Sequence, residues 1–131
     1  MGQRFLIDTN IPLEIILDQN YSKHSAHILN TMKNLYITDF SLKSLFIVSQ
    51  RHNVDIVLLE RFLNLLLKKC KLVEVKNTNL LEIYKLCAEK NLDYDDAHLY
   101  FYCKEGNFKI LTYDKHLLKY KSISKDAKLL I

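Results

Sequence analysis

The sequence predicts an α/β protein: a three-layer α/β/α sandwich with a central, mostly parallel sheet. Three observations lead there. Short apolar runs of strand length alternate from end to end with longer stretches of helical spacing. Two of those runs, in "FLIDTN" and "FKILTYD", stop on an aspartate, and parallel sheets collect function at the carboxyl ends of their central strands. The chain holds only two glycines and one proline in 131 residues, which leaves little room for long loops.

The elements follow in order. "RFLIDTN" is a short apolar run followed by turn residues, as in a buried strand. "NIPLEIILDQ" reads as a helix, with Asn10 a candidate N-cap and Pro12 in the first turn, where its missing N–H does no harm. Ser22 is a candidate cap for a second helix, reaching about Asn34. "LYIT" is a second strand. "DFSLKSLFIVSQR" has helical spacing at Leu42, Leu45, Phe46 and Ser49. From Asp55 to Cys70 the apolar pattern is helical and dense, through Ile56, Leu59, Phe62, Leu63, Leu66 and Leu67. "KLVEVK" alternates as a strand, and "NTNLLEIYKLCAEKN" is helical. "DYDDAHLYFYCKEGN" is a further helix, closed by Gly106 or Asn107 in a left-handed cap. "FKILTYD" is the last predicted strand.

Composition narrows the class. The chain is 49% hydrophobic and 26% charged, the balance of a folded domain. Its length suits one domain spanning 1–131. No stretch approaches the ~18 apolar residues of a membrane span, and Gln3, Arg4 and Asp8 around a very short apolar run do not make a signal peptide. Cys70, Cys87 and Cys103 are odd in number and widely spaced, which fits a reducing cytoplasm better than a disulfide framework or a zinc site. The net charge of +4 is compatible with a nucleic-acid partner without arguing strongly for one.

The acids carry the chemistry. Asp8 and Asp114 each follow an apolar run, and Asp96 opens a helix. If the three converge, their like charges can all stay ionised only around a cation. Carboxylates without a nearby cysteine or paired histidine favour Mg²⁺ or Mn²⁺. An ion so held suits phosphodiester hydrolysis.

The blocks "FLIDTNIPLEIIL", "LYITDFSLKSLF" and "LDYDDAHLYFYCKEGNFKILTYDKHL" together resemble a PIN domain, over nearly the whole chain. That family is known for Mg²⁺- or Mn²⁺-dependent ribonucleases, including VapC-like toxins of type II toxin–antitoxin systems. The resemblance implies a metal-dependent endoribonuclease, with an RNA substrate, a cognate antitoxin protein as partner and room for a homodimer. By the match of motifs, Asp8, Asp96 and Asp114 would be the metal-site acids, and Thr9, Asn10 and Thr112 polar residues that support the site. One departure stands out. The family usually places a glutamate one or two turns into the helix after the second strand, and here that position falls at Ser44, beside Lys43. Asp93, three residues before Asp96 and so on the same helix face, is the better substitute. Asp39 is another, whereas Asp95 should point elsewhere. The missing acid keeps a second reading open, a PIN-like domain that no longer cuts and serves as an RNA-binding or protein-interaction module. A phosphoacceptor receiver domain also places acids at strand ends. It is disfavoured by the single acid after the first strand and the aspartate where a late lysine is wanted.

Each of these residues has a plainer role to set beside the functional one. Asp8 and Asp93 could be helix N-caps, and for Asp93 the cap is the stronger reading; Asp114 could begin a turn. Glu14 reads as a solvated helix residue. His24 and His27 have metal-compatible spacing but no third ligand, so the surface is their place. His98 reads as packing or partial exposure, Tyr100, Phe101 and Tyr102 as core, and Lys68, Lys69 and Lys71 as a solvated helix end. Lys43 and Lys115 could meet flanking phosphates.

Overall fold

The computed structural model describes residues 2–129, so residues 1, 130 and 131, at the ends of the 1–131 domain assignment, lie outside the described residues. Five strands form one sheet: β1 (Phe5–Ile7), β2 (Leu35–Thr38), β3 (Cys70–Val73), β4 (Lys109–Thr112) and β5 (Ser124–Asp126). Their order is β3-β2-β1-β4-β5, and every pairing is parallel. β1 is central, with Leu6 opposite Tyr36 on one side and Ile110 on the other.

Successive side chains of a strand point to opposite faces, and the buried residues divide accordingly. Leu6 and Ile110 belong to one core, and Ile7 and Leu111 to the other. The first core takes Ile83 from α5 (Leu80–Lys90), Leu117 from α7 (Lys115–Leu118) and the run Ala97–Cys103, apart from His98, of α6 (Tyr94–Gly106). The second takes residues from α1 (Asn10–Ile16), α2 (Ser22–Thr31), α3 (Asp39–Arg51) and α4 (Ile56–Lys69). Helices on both faces of a parallel sheet make the three layers that alternation predicts. α6 is buried all round through its middle, including Tyr100, Phe101 and Tyr102, as suits a helix enclosed by its neighbours.

Several boundaries differ from the expectation. Asn10 is the first residue of α1 rather than its cap; Thr9 holds the cap position without a side-chain hydrogen bond. Ser22 likewise lies inside α2, behind Tyr21, and that helix stops at Thr31. Asn34 then turns the chain at φ 62° into β2. The strand expected in "KLVEVK" starts one residue earlier, at Cys70, and ends at Val73. β5 and α7 have no counterpart in the sequence reading. β5 is three residues, "SKD", at a sheet edge, where the pairing is made by backbone alone and no apolar pattern marks it. At the end of α6 it is Asn107 that adopts the left-handed conformation, at φ 55°. Gly106 is instead required by space, since a Cβ there would run into the Phe108 ring.

Candidate metal centre

The sheet order reverses between β1 and β4: the chain proceeds outward from β1 through β2 to β3, then returns to the other side of β1. The carboxyl ends of these two strands form the crevice where open parallel sheets bind ligands. Asp8 follows β1 directly, and Asp114 lies two residues past β4. Asp96 comes from the first turn of α6, which the Asp93 carboxylate caps by accepting the Asp96 N–H at 2.9 Å. One carboxylate oxygen from each of Asp8, Asp96 and Asp114 lies within 4.8 Å of the others.

Thr112 ties the strand ends together. Its hydroxyl donates to Asp8 Oδ2 at 2.7 Å, accepts the Asp114 N–H at 2.9 Å, and accepts from Asn10 Nδ2 at 3.3 Å. The Asp8 backbone N–H donates to Leu111 at 2.9 Å, which fixes the exit of β1 against β4. Asp114 also caps the short α7, accepting the His116 N–H at 2.9 Å, so a cap and a place in the acid group coexist in one side chain. Asp8 is no cap by its side chain. Thr9 is buried, and its hydroxyl has no partner among the described residues.

Electrostatics set this group apart. Burial pushes the Asp8 carboxyl up to about 7, with the charges of Asp95 and Asp114 adding to it, against the hydrogen bonds from Thr112 and Thr9. Burial also pushes Asp96 up to about 8, helped by Asp93, Asp8, Asp114 and Asp95. Such shifts express the cost of crowding anions in a poorly solvated crevice. A cation removes that cost. Three converging oxygen donors, with no thiolate or imidazole among them, fit a hard divalent ion such as Mg²⁺ or Mn²⁺.

The candidates for a fourth acid fare differently. Asp93 falls outside the converging group and serves as the cap of α6, the plainer of its two expected roles. Asp39 Oδ1 accepts the Val75 N–H at 3.1 Å and staples α3 to the segment after β3. Ser44 is half-buried on α3, one residue from the fully buried Leu45. Asp95 stays outside the converging group, its Oδ1 3.7 Å from His98 Nδ1. Its charge still adds to the raising of Asp8 and Asp96, and its own carboxyl is raised by burial and by Asp93 and Asp114.

The histidines stay out of the acid group. His98 is fully buried; its Nε2 meets the Thr38 hydroxyl at 2.9 Å and its ring packs on Phe40. Burial lowers it to about 4, so it is neutral at physiological pH. His24 bonds the Ala127 carbonyl, and His27 is exposed. Lys43 and Lys115 are exposed, as are Lys68, Lys69 and Lys71. Glu14 departs from its expected solvated role: it is half-buried, and its Oε1 accepts the Tyr21 N–H at 2.7 Å.

The family profile of the PIN domain matches residues 5–123, a span that includes all three acids. The chain belongs to the PIN domain family. Among solved structures it is similar to PAE2754 from Pyrobaculum aerophilum, with a TM-score of 0.76 at 18% identity over 99% of this chain and 93% of that one. It is also similar to a toxin–antitoxin complex from Klebsiella pneumoniae, with a TM-score of 0.70 at 13% identity over 93% of this chain and 96% of that one. At such identities the likeness is one of fold. No curated protein matches the chain by sequence. PIN domains are generally nucleases, and the acid group of this member fits a metal site.

Proposed function

We propose that this chain is a single-domain, Mg²⁺- or Mn²⁺-dependent endoribonuclease that hydrolyses RNA phosphodiester bonds, and that it acts in the cytoplasm as the toxin of a toxin–antitoxin pair. The observation that carries the reading is the meeting of Asp8, Asp96 and Asp114 within 4.8 Å at the switch point of a parallel sheet. These three residues would hold the ion. When bound, a divalent ion supplies a lowered pKa for water and charge stabilisation for the phosphoryl and leaving oxygens. Thr112 fixes the rotamer of Asp8, and Asn10 fixes Thr112 from the other side. Asp95 adds negative charge beside the three acids in place of the glutamate absent at Ser44. Lys43 and Lys115, both exposed, would meet phosphates flanking the scissile one.

The toxin part of the reading draws on the fold shared with a toxin–antitoxin complex. It also draws on Ile56, Val57 and Leu58, consecutive and at least half exposed at the start of α4, an apolar surface of the kind that partners cover. An antitoxin is the proposed occupant, and self-association is the competing one. No helix among the described residues is long and apolar enough to cross a membrane.

The second reading is a PIN-like domain that binds RNA or protein without cutting, and Ser44 at the usual glutamate position favours it. One experiment separates them. Purified protein should cut single-stranded or loop RNA with Mg²⁺ or Mn²⁺ and stop in EDTA, and Asp8→Asn should abolish cutting while leaving the circular dichroism spectrum intact. Cutting undiminished in Asp8→Asn would point to another site or a contaminant. RNA binding without cutting across a range of RNAs and Mn²⁺ concentrations would favour the binding module.

A further inference from the structure

Beside the acids lies a cleft of about 390 Å³ lined by Asn10, Glu14, Gln19, Asn20, Tyr21 and Tyr113. It joins the acid group through a short chain of hydrogen bonds, since Asn10 donates to Thr112 and Thr112 donates to Asp8. Tyr113 sits between Thr112 and Asp114 in sequence. The rings of Tyr21 and Tyr113 stack at 4.7 Å with 13° between their planes. Tyr113 is anchored by its hydroxyl, 2.6 Å from that of Ser25, and Tyr21 by its backbone N–H on Glu14 Oε1 at 2.7 Å. Tyr21 is nevertheless 39% exposed, an unusual amount for a ring so firmly held. Asn10 gives one of its two amide N–H groups to Thr112, and its Oδ1 is buried without a partner among the described residues. Glu14 uses Oε1 on Tyr21, which leaves Oε2 to accept.

We propose that this cleft is a nucleobase subsite, in which a base flanking the scissile phosphate stacks on Tyr21 and is selected for an exocyclic amino group by Glu14. The inference rests on the ribonuclease reading above and adds its substrate preference. Aromatic side chains bind single-stranded bases by stacking, whichever base is present. Choice among bases then comes from the edge. Carboxylate and amide oxygens accept from the amino groups of cytosine, adenine or guanine, whereas uracil presents carbonyl oxygens on either side of its one N–H. A cleft whose free acceptor is a carboxylate oxygen therefore disfavours uracil. The site lies on the α1–α2 connection and the end of β4, so it can place the RNA relative to the acids without contributing to the reaction.

The test reads binding apart from cutting. Fluorescence anisotropy of labelled eight-nucleotide RNAs in EDTA, where the proposed hydrolysis stops, should rank oligo-A and oligo-C above oligo-U. Tyr21→Ala should weaken binding of every RNA by about tenfold, the worth of one stacked base, while Tyr21→Phe should stay near wild type. Glu14→Gln keeps an oxygen for the Tyr21 N–H but replaces the free acceptor with an amide donor, so the preference should move towards oligo-U. Equal binding by Tyr21→Ala and wild type, an unchanged ranking in Glu14→Gln, or no RNA binding by the wild type would each overturn the subsite. Failure to cut RNA with Mn²⁺ would overturn the ribonuclease reading and leave these binding outcomes readable.

Discussion

Single residues at this site serve several partners at once, and Thr112 is the clearest case. One hydroxyl orients Asp8, receives the Asp114 backbone and receives Asn10. At Ser44 the opposite holds: a residue that can offer no carboxylate stands where one is expected. Ser44→Glu should therefore tighten Mn²⁺ binding, by about tenfold if the new carboxylate reaches the ion, because affinity for hard cations follows ligand charge. Titration calorimetry checks it, and unchanged affinity would mean that this face of α3 does not border the crevice. The acids were legible in the sequence because each interrupts a pattern: Asp8 and Asp114 stop apolar runs, and Asp96 opens a helix. Asp95 and Glu14 interrupt nothing. Their surroundings are set by burial and by neighbours distant in the chain, as when Asp95 bears on Asp8 from 87 positions away or Glu14 takes up the Tyr21 N–H across a turn.

Elements with a strong period or a marked end were readable; those held by pairing alone were not. α3 and α4 match the sequence reading closely because each has a capping residue and a buried stripe. Thr38 accepts from the Ser41 N–H, and Asp55 from those of Val57 and Leu58. β5, with two charged residues in three, owes its existence to β4 beside it. α6 matters most for the acid group because its first turn delivers Asp96. Its cap, Asp93, accepts the very N–H of Asp96, and its charge is the largest like-charge contribution to raising that carboxyl. Asp93→Ala should accordingly have two effects of different sign. Losing the cap should cost about 1 kcal/mol of stability, seen in urea unfolding. Losing the charge should lower the Asp96 pKa, seen in its carbon NMR titration. Asp93→Asn, which keeps an accepting oxygen, should show the second effect with little of the first.

At the scale of the whole molecule, the acid crevice makes stability depend on pH and on metal together. Asp8 and Asp96, at about 7 and about 8, bind protons more tightly in the folded chain than in the unfolded chain, where carboxyls titrate near 3.8. Between those values the folded state holds more protons, so stability falls as pH rises through the window. His98 acts in the other direction. Buried and lowered to about 4 from 6.5, it makes the folded state the poorer proton binder in that lower range, so stability there rises with pH. As the pH rises past 6.5 His98 loses its proton in the unfolded state as well, and the acids come to dominate. In EDTA the melting temperature should therefore drop by a few degrees from pH 6.5 to 8.5, a loss on the order of 1 kcal/mol. Asp96→Asn, which has no proton to lose, should flatten that drop. Mn²⁺ should act most at the alkaline end, where Asp8 and Asp96 have lost their protons. At ~100 times its dissociation constant an ion specific to the folded state adds ~2.7 kcal/mol, enough to offset the loss. Differential scanning calorimetry in EDTA and in Mn²⁺ at the two pH values decides it. A melting temperature that is flat with pH in EDTA, or raised equally by Mn²⁺ at both, would mean that the three acids are not the site the ion occupies.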